Sequence, residues 1–517
     1  MHDHAVDRRR GAALTLGARF GGHGFLALAV ALPAFTALSC SSKGSTTYFA
    51  RDTLLDPTTC KQCHADHYAD WSASMHAYAS DDPVFRAMNA RGQRETNGTL
   101  GNFCVKCHAP MAVNEGATTD GLNLDSVPAK LHGVTCFFCH TVESVQGSHD
   151  NPLVLANDVT MRGEYSDPVA NAAHPATYSV LHDRSQLASA TMCGACHDIV
   201  SPHGAEIERT YIDWQASLFS KDEPGGGQTC SQCHMEELPQ GDGLEPIAQA
   251  PNVFARKYHV HSFLAIDQAT NPTLPAPPST NVPLQQFLDT TVSTALCVVQ
   301  QDGNGAIRVI VDNIAAGHSV TSGSAQDRRF WAEVIAYKAG TVIYSSGVVP
   351  MGTPVTEVKS DPDLWLIRDC MFDDAGTQVS MFWQAASVES NLLPFSTTSD
   401  QTDPAYYRTH IVQYYPRNQL ATLPAAPDKI TLRLLIQPIG LDVLRDLEST
   451  GDLDAGVEAE MPTLVFPEPI LTWTPDAAAA ADAGYIEGQS FVACVGDTGL
   501  NVAADKYPAV NHTKCSP

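Results

Sequence analysis

The stretch Cys60-Lys61-Gln62-Cys63-His64 decides how this chain is read, because its pattern, C-x-x-C-H, returns at Cys104–His108, Cys136–His140, Cys193–His197 and Cys230–His234. The spacing is that of a covalent haem c attachment site. Two cysteine sulfurs form thioethers to the vinyl edges of one porphyrin, and the histidine that follows turns its imidazole onto the iron. A zinc knuckle or a redox dithiol also uses C-x-x-C, but neither explains a histidine in the next position five times over. The sequence therefore predicts five covalently bound haems c. Their attachment points are Cys60, Cys63, Cys104, Cys107, Cys136, Cys139, Cys193, Cys196, Cys230 and Cys233, and the proximal iron ligands are His64, His108, His140, His197 and His234.

Covalent haem implies export, and the N-terminus fits it. Arg8, Arg9 and Arg10 form a basic region, Phe25 to Leu38 is an apolar run broken by Pro33 and Thr36, and small residues follow, so residues 1–39 are expected to be a signal peptide. Because haem c is attached to an unfolded exported chain, the general secretory route is preferred to the twin-arginine one. Ala37-Leu38-Ser39-Cys40 resembles a bacterial lipobox, with Ala37 where Leu is usual, which makes Cys40 the expected lipid-bearing N-terminus. The run is too short for a confident membrane span, and no later run is longer and as apolar. The expected location is the periplasm or cell envelope, with a lipid anchor in a membrane; the cell surface is the alternative.

Of fifteen cysteines, ten carry haem and Cys40 is the lipid candidate, leaving Cys297, Cys370, Cys494 and Cys515. Four thiols in an oxidising compartment predict two disulfides. Sequence order favours Cys297 with Cys370 and Cys494 with Cys515, and three connectivities are open. The formal charge is −26; residues 1–39 hold four Arg and two Asp, so the remainder carries −28. Such acidity argues against nucleic acid and anionic membrane surfaces as partners and permits docking of basic redox proteins.

The expected fold class is α+β. All five motifs lie in residues 50–265, about forty residues for each haem, which predicts a mostly helical, loop-rich haem domain in which porphyrins supply much of the core. A Pro-rich linker is expected over 266–290, centred on Asn271 to Pro278. Beyond it, residues 291–517 turn to alternating patterns: Ile307–Val311, Trp331–Tyr337, Thr341–Tyr344 and Lys429–Ile436 are expected strands of a β-sandwich-like domain. Gly451–Glu460 and the Ala-rich run 477–481 are expected to be surface loops or low-complexity inserts. Within the first half, Tyr68-Ala69-Asp70-Trp71-Ser72-Ala73-Ser74 is echoed by Tyr211-Ile212-Asp213-Trp214-Gln215-Ala216-Ser217. Helical spacing places Tyr, Trp and Ser on much the same side, and packing against a haem face is the expected role of these aromatics.

What fills the sixth iron position separates an electron carrier from a substrate-binding haem. Beyond the signal and the proximal set, twelve histidines remain, and five suffice. Met111 and Met235 follow motifs too closely to reach their own distal faces, so packing is expected of them.

The motifs with Trp71, Ser74 and His76, then His132 to His140, Cys193 to Asp198 with Trp214, and Cys230 to Met235, resemble the multihaem cytochrome c-552/c-554 family over roughly residues 55–265. Asn313 to His318 with Arg328 to Val334 resembles a β-rich domain that accompanies such haem domains in some relatives, with Thr321-Ser322-Gly323 where Pro-Thr-Gly is usual. The resemblance implies mainly bis-histidine haems in closely stacked pairs, acting in periplasmic electron transfer. Carried over by position, His76, after the Trp-x-x-Ser element, and His261, in a His-x-Phe element, rank first as distal ligands. His132, His174 and His318 complete the set, with His318 reaching back from the β-rich half; His67, His149, His182, His203 and His259 are reserves. Pentahaem nitrite reductases share the size and haem count but typically carry a C-x-x-C-K site, which this chain lacks. A multihaem electron carrier serving redox partner proteins, and not an enzyme, is thus the expected function; a haem enzyme of the nitrite or hydroxylamine oxidoreductase kind is the alternative.

Overall fold

The C-x-x-C-H spacing fits one helical turn, which puts the first cysteine, the cysteine three residues on and the histidine four residues on along one face. The computed structural model builds such a turn at every motif. His64, His108 and His197 each donate their backbone N–H to the carbonyl of the motif's first cysteine, at 2.8, 3.3 and 3.0 Å. Cys136–Thr141 and Cys230–His234 are themselves helical. Thr135 and Thr229 cap those two helices by accepting from Phe138 and Gln232 N–H, and Gln232 closes a capping box on Thr229. The structure describes residues 48–222, 226–235, 244–267, 269–270, 281–299, 305–417, 422–480, 491–495, 508–510 and 515. The expected signal peptide, Cys40 and the stretch Asn271 to Pro278 lie outside them.

Helices in the first half are short; the longest is Pro83–Glu95, started by Asp82, whose side chain accepts from Val84 N–H, and by Pro83 in the first turn. Its regular apolar core is a modest cluster around Phe85, Val105, Met111, Leu124, Phe137 and Phe138. Met111 is fully buried there, a packing residue as expected.

The second half is built from two main sheets. One runs in the order His410–Tyr415, Ala306–Asn313, Val292–Val299, Phe491–Val495, with its last pairing parallel. The other runs Thr341–Ser346, Arg329–Lys338, Lys429–Gln437, Leu464–Trp473, with Trp365–Ile367 also paired to Arg329–Lys338. Period-two alternation sends Ile307, Val309 and Val311 from the first sheet, and Phe330, Ala332, Val334, Ile430, Leu432 and Leu434 from the second, into one shared core. Each such side chain contributes about 1.5–3 kcal/mol when fully buried. The four expected strands are all present.

Four expectations are corrected. The C-terminal part of the expected linker is a helix, Asn281–Thr291, because Leu284 and Leu288, four residues apart, both insert into the sandwich core. The Ala-rich run is helical over Pro475–Ala480, with Thr474 Oγ1 accepting from Ala477 N–H, as Pro in the first turn followed by alanines favours. Within the other expected loop, Val457–Glu460 forms one helical turn. Finally, Cys370 bonds to Cys515, with Cα atoms 5.5 Å apart, so it is not the partner of Cys297; Cys297 is itself disulfide-bonded. The favoured pairing failed because sequence order says nothing of how the C-terminal tail returns to the Asp369–Phe372 strand.

Residues 40–517 form one unit. Val84, Ala87 and Leu100 of the first half share a cluster with Trp383, Leu441, Leu444 and Leu447 of the second. Trp383 Nε1 donates to Glu95 at 2.9 Å, and Arg91 pairs with Asp446 at 2.6 Å.

Candidate functional site

All five motif histidines are oriented by the same device. The Nδ1 of His64 lies 2.7 Å from the carbonyl of Ile247, that of His108 3.1 Å from Ala79, that of His140 2.7 Å from Arg162, and that of His234 2.8 Å from Leu264. His197 differs: its Nδ1 faces the Oε1 of Glu208 at 3.2 Å, and Glu208 is buried. Donating Nδ1–H fixes the tautomer and leaves Nε2 with a lone pair for iron. Burial lowers the pKa of His64, His108, His140 and His234, holding them in the neutral form a metal needs. For His197 burial also acts downward, but the hydrogen bond and charge of Glu208 outweigh it and raise the pKa to about 9.

Four of these rings face a second histidine. His64 and His174 have ring centroids 6.4 Å apart, His140 and His261 6.4 Å, His197 and His76 6.3 Å, and His234 and His318 6.5 Å. A metal between two imidazoles, each bonded at about 2 Å, separates the ring centroids by about 6.3 Å. The spacing fits haem iron in all four pairs. Three of the facing rings repeat the orienting device: His174 Nδ1 lies 3.0 Å from Pro175 O, His261 Nδ1 2.7 Å from His259 O, and His318 Nδ1 3.0 Å from Ser319 O. Burial depresses His76 and His261 to about 3. His197 sits deep among its neighbours, yet protein leaves about half of its side-chain surface (51 %) uncovered, room that a porphyrin can take.

The histidine expected to ligate from position 132 is placed otherwise. His132 Nδ1 lies 2.9 Å from Asp81 Oδ1 and its Nε2 3.1 Å from Val127 O, so both nitrogens face oxygen acceptors, and the Asp81 hydrogen bond raises its pKa. With both nitrogens held by oxygen acceptors, neither is free to reach an iron. His182 stacks near His140 at 5.7 Å, but its Nε2 is held by Cys139 O at 2.8 Å, on the motif's own side. Among the other reserves, His67 packs against His261 and Tyr258, His149 bonds Asp150, His203 lies 3.9 Å from Asp374, and His259 pairs with Glu164. For His108 the stacked neighbour is Phe85, parallel at 4.1 Å. Among the described residues no histidine ring faces His108 at the spacing of the other four pairs.

The motifs crowd together. Thiols from different motifs lie close enough to influence one another, Cys60 with Cys136, Cys107 with Cys196, and Cys193 with Cys230. With haem attached as the motifs imply, these sulfurs would be thioethers. The fourth motif thus neighbours the second and the fifth, and Cys139 of the third lies close enough to Cys193 to feel its charge. Glu208 is the residue at this site that sequence reasoning missed; a lone glutamate in a short strand carries no motif.

Residues 59–141 match the family described as cytochrome c554 and c-prime. The fold is similar to that of a penta-heme cytochrome c552 from Thermochromatium tepidum, with a TM-score of 0.54 at 17% identity, over 81% of this chain and 98% of that one. No curated protein matches the chain.

Proposed function

We propose that this chain is a multihaem c-type cytochrome that holds five covalent haems and passes electrons between redox partner proteins, a reading that the matching segment 59–141 and the fold support. Haem iron supplies reversible one-electron chemistry when bound. The chain's part is to attach, orient and close off each iron. The observation that supports the reading is the set of four opposed histidine pairs at 6.3–6.5 Å, and on it we take His174, His261, His76 and His318 as distal ligands opposite His64, His140, His197 and His234. Saturated irons leave a substrate nowhere to bind, and closely set motifs suit electron hopping. Low-temperature electron paramagnetic resonance of the oxidised holoprotein tests it: at least four low-spin haems are expected, and two or more high-spin haems would overturn the assignment. Intact mass should show five haems.

A second reading has one specific observation behind it. His108 has Phe85 beside it and, among the described residues, no facing histidine, which leaves the haem on the Cys104–His108 motif the candidate for an exchangeable sixth position. One high-spin signal out of five, together with steady nitrite or hydroxylamine consumption at about 1 per second or more, would favour the oxidoreductase alternative. A high-spin signal without turnover leaves the carrier reading in place.

The same proposal puts the protein in the periplasm or cell envelope, tethered through acylated Cys40 and serving basic redox partners. Cys40→Ser should release it from the membrane fraction. Wild-type protein found wholly in the soluble fraction would sink the anchor.

A further inference from the structure

The internal repeat has a use that packing alone does not explain. In the first copy, on the helix Ala65–Ser72, Trp71 Nε1 donates to Val134 O at 2.8 Å, two residues ahead of Cys136. In the second copy, on the helix Thr210–Ala216, Trp214 Nε1 donates to Gln228 O at 2.9 Å, two residues ahead of Cys230. The aspartate before each tryptophan reaches the other way. Asp70 Oδ2 accepts from His261 N–H at 3.1 Å and from the Tyr258 hydroxyl at 2.6 Å. Asp213 Oδ2 accepts from Ser319 N–H at 3.2 Å, while its other oxygen lies 4.0 Å from Arg209 Nε. His261 faces His140 of the Cys136 motif, and His318, next to Ser319, faces His234 of the Cys230 motif.

We propose that Tyr-x-Asp-Trp-x-x-Ser is a two-sided haem clamp: its tryptophan holds the approach to a C-x-x-C-H motif, and its aspartate holds the segment bearing the histidine opposite that motif's own. Asp70, Trp71, Asp213 and Trp214 are thus positioning residues for haems attached elsewhere in the chain. The two copies grip unrelated segments, one in the loop after the last motif and one in the β-rich half, yet each pairs the same two functions on one haem. Two stacking aromatics would account for Tyr and Trp but not for an aspartate aimed at a ligand-bearing backbone in both copies. The serine ends each helix alike, Ser74 Oγ donating to Trp71 O at 2.7 Å and Ser217 Oγ to Trp214 O at 2.8 Å. The copies then part: the first continues to His76, whereas the residue two past Ser217 is Phe219, packed against Gly317. A hydrogen bond to a carboxylate contributes about 1.5–3 kcal/mol, so losing one should raise distal-ligand dissociation about tenfold or more.

The inference rests on His261 and His318 being ligands, and the experiment separates the two claims. Carbon monoxide is mixed with reduced holoprotein whose five-haem mass has been verified, and the CO-reactive fraction and its rate are read optically. Asp213→Ala should raise the rate at one haem about tenfold or more. Asp213→Asn, which keeps an acceptor, should recover most of the loss, and Trp214→Phe should raise the rate by less. If His318→Ala leaves that haem closed to CO, the ligand assignment fails. If His318→Ala opens it while Asp213→Ala behaves as wild type, the clamp fails and the assignment stands. Should Asp213→Ala not mature, Asp70→Ala and Trp71→Phe read the haem on His140 the same way, with His261→Ala as control, and wild-type behaviour there overturns the clamp.

Discussion

The two halves of this molecule are held by different means. In the first, helices of mostly four to eight residues wrap half-buried imidazoles and thiols around a modest apolar cluster. In the second, two sheets close on one continuous core of Val, Leu, Ile, Phe and Trp. Helices so short are marginal without tertiary support, so the proposed haems would have to supply much of the first half's core, whereas the second carries its own. His318, on the β-rich side, faces His234 and ties the two regimes together.

Withholding haem should break the comparison most visibly. Chain exported without haem attachment is expected to lose amide-exchange protection throughout residues 50–265, while the strands Ala306–Asn313, Arg329–Lys338 and Lys429–Gln437 stay protected. Hydrogen exchange read by mass spectrometry checks this. Equal loss in both halves would mean that the sandwich cannot stand without the haems.

The converse change strikes the second half alone. Trp365 is 1% exposed in the shared core, and Trp365→Ala should cost about 3–5 kcal/mol through the cavity it leaves. Thermal melts followed by near-ultraviolet dichroism should move down, while the low-spin spectra of the haems on His64, His140 and His197 persist. The haem on His234 is the one expected to respond, because its facing histidine rides on the β-rich half.

A smaller effect separates one haem from its neighbours. Glu208 is the carboxylate among five Nδ1 partners, and Thr210 Oγ1 supports its Oε1 at 3.3 Å. A negative charge on the proximal imidazole favours the ferric over the ferrous state. Arg328 lies nearby, but its guanidinium is already held by Asp267 at 2.8 and 2.9 Å. Glu208→Gln should therefore raise one midpoint potential of the five in a spectroelectrochemical titration, an effect of about 1.5–3 kcal/mol at most. No movement would mean that Glu208 only packs.

How much of this was legible follows from the range of each interaction. The C-x-x-C-H turns are local, so their helical form was legible; the strands announced themselves by alternation, as at Ile307, Val309 and Val311. The facing histidines are set by how distant segments fold back. His174, far from the first motif in sequence, came to His64, whereas His132, close to a motif, was taken by Asp81. The repeat around Trp71 and Trp214 was visible, but what its aspartates hold was not, since Ser319 lies across the fold from Asp213. The Cys370–Cys515 bridge escaped for the same reason. The helix at Pro475–Ala480 is a different case: its local propensity was present and was outweighed by the low-complexity look of the run.

The smallest predicted effect tests whether surface charge contributes to the second half as cofactors do to the first. Glu333 and Arg433 sit directly opposite each other on paired strands, and the guanidinium grips the carboxylate at 2.6 and 2.9 Å. Glu333 is mostly buried, but Arg433 keeps about a third of its side-chain surface (34%) in solvent, where screening weakens the pair. The strands that carry them are fixed by Val334, Leu432 and Leu434 on the inner face, which the charge pair does not touch. Cross-strand and exposed ion pairs of this kind contribute about 0.2–1 kcal/mol. Arg433→Ala is therefore expected to lower stability by about 1 kcal/mol or less in denaturant unfolding, and less at high salt, with every haem spectrum unchanged. A loss of about 3 kcal/mol or more would be the cost of a stranded buried carboxylate, and would mean that this sheet leans on Arg433 as the first half leans on its haems.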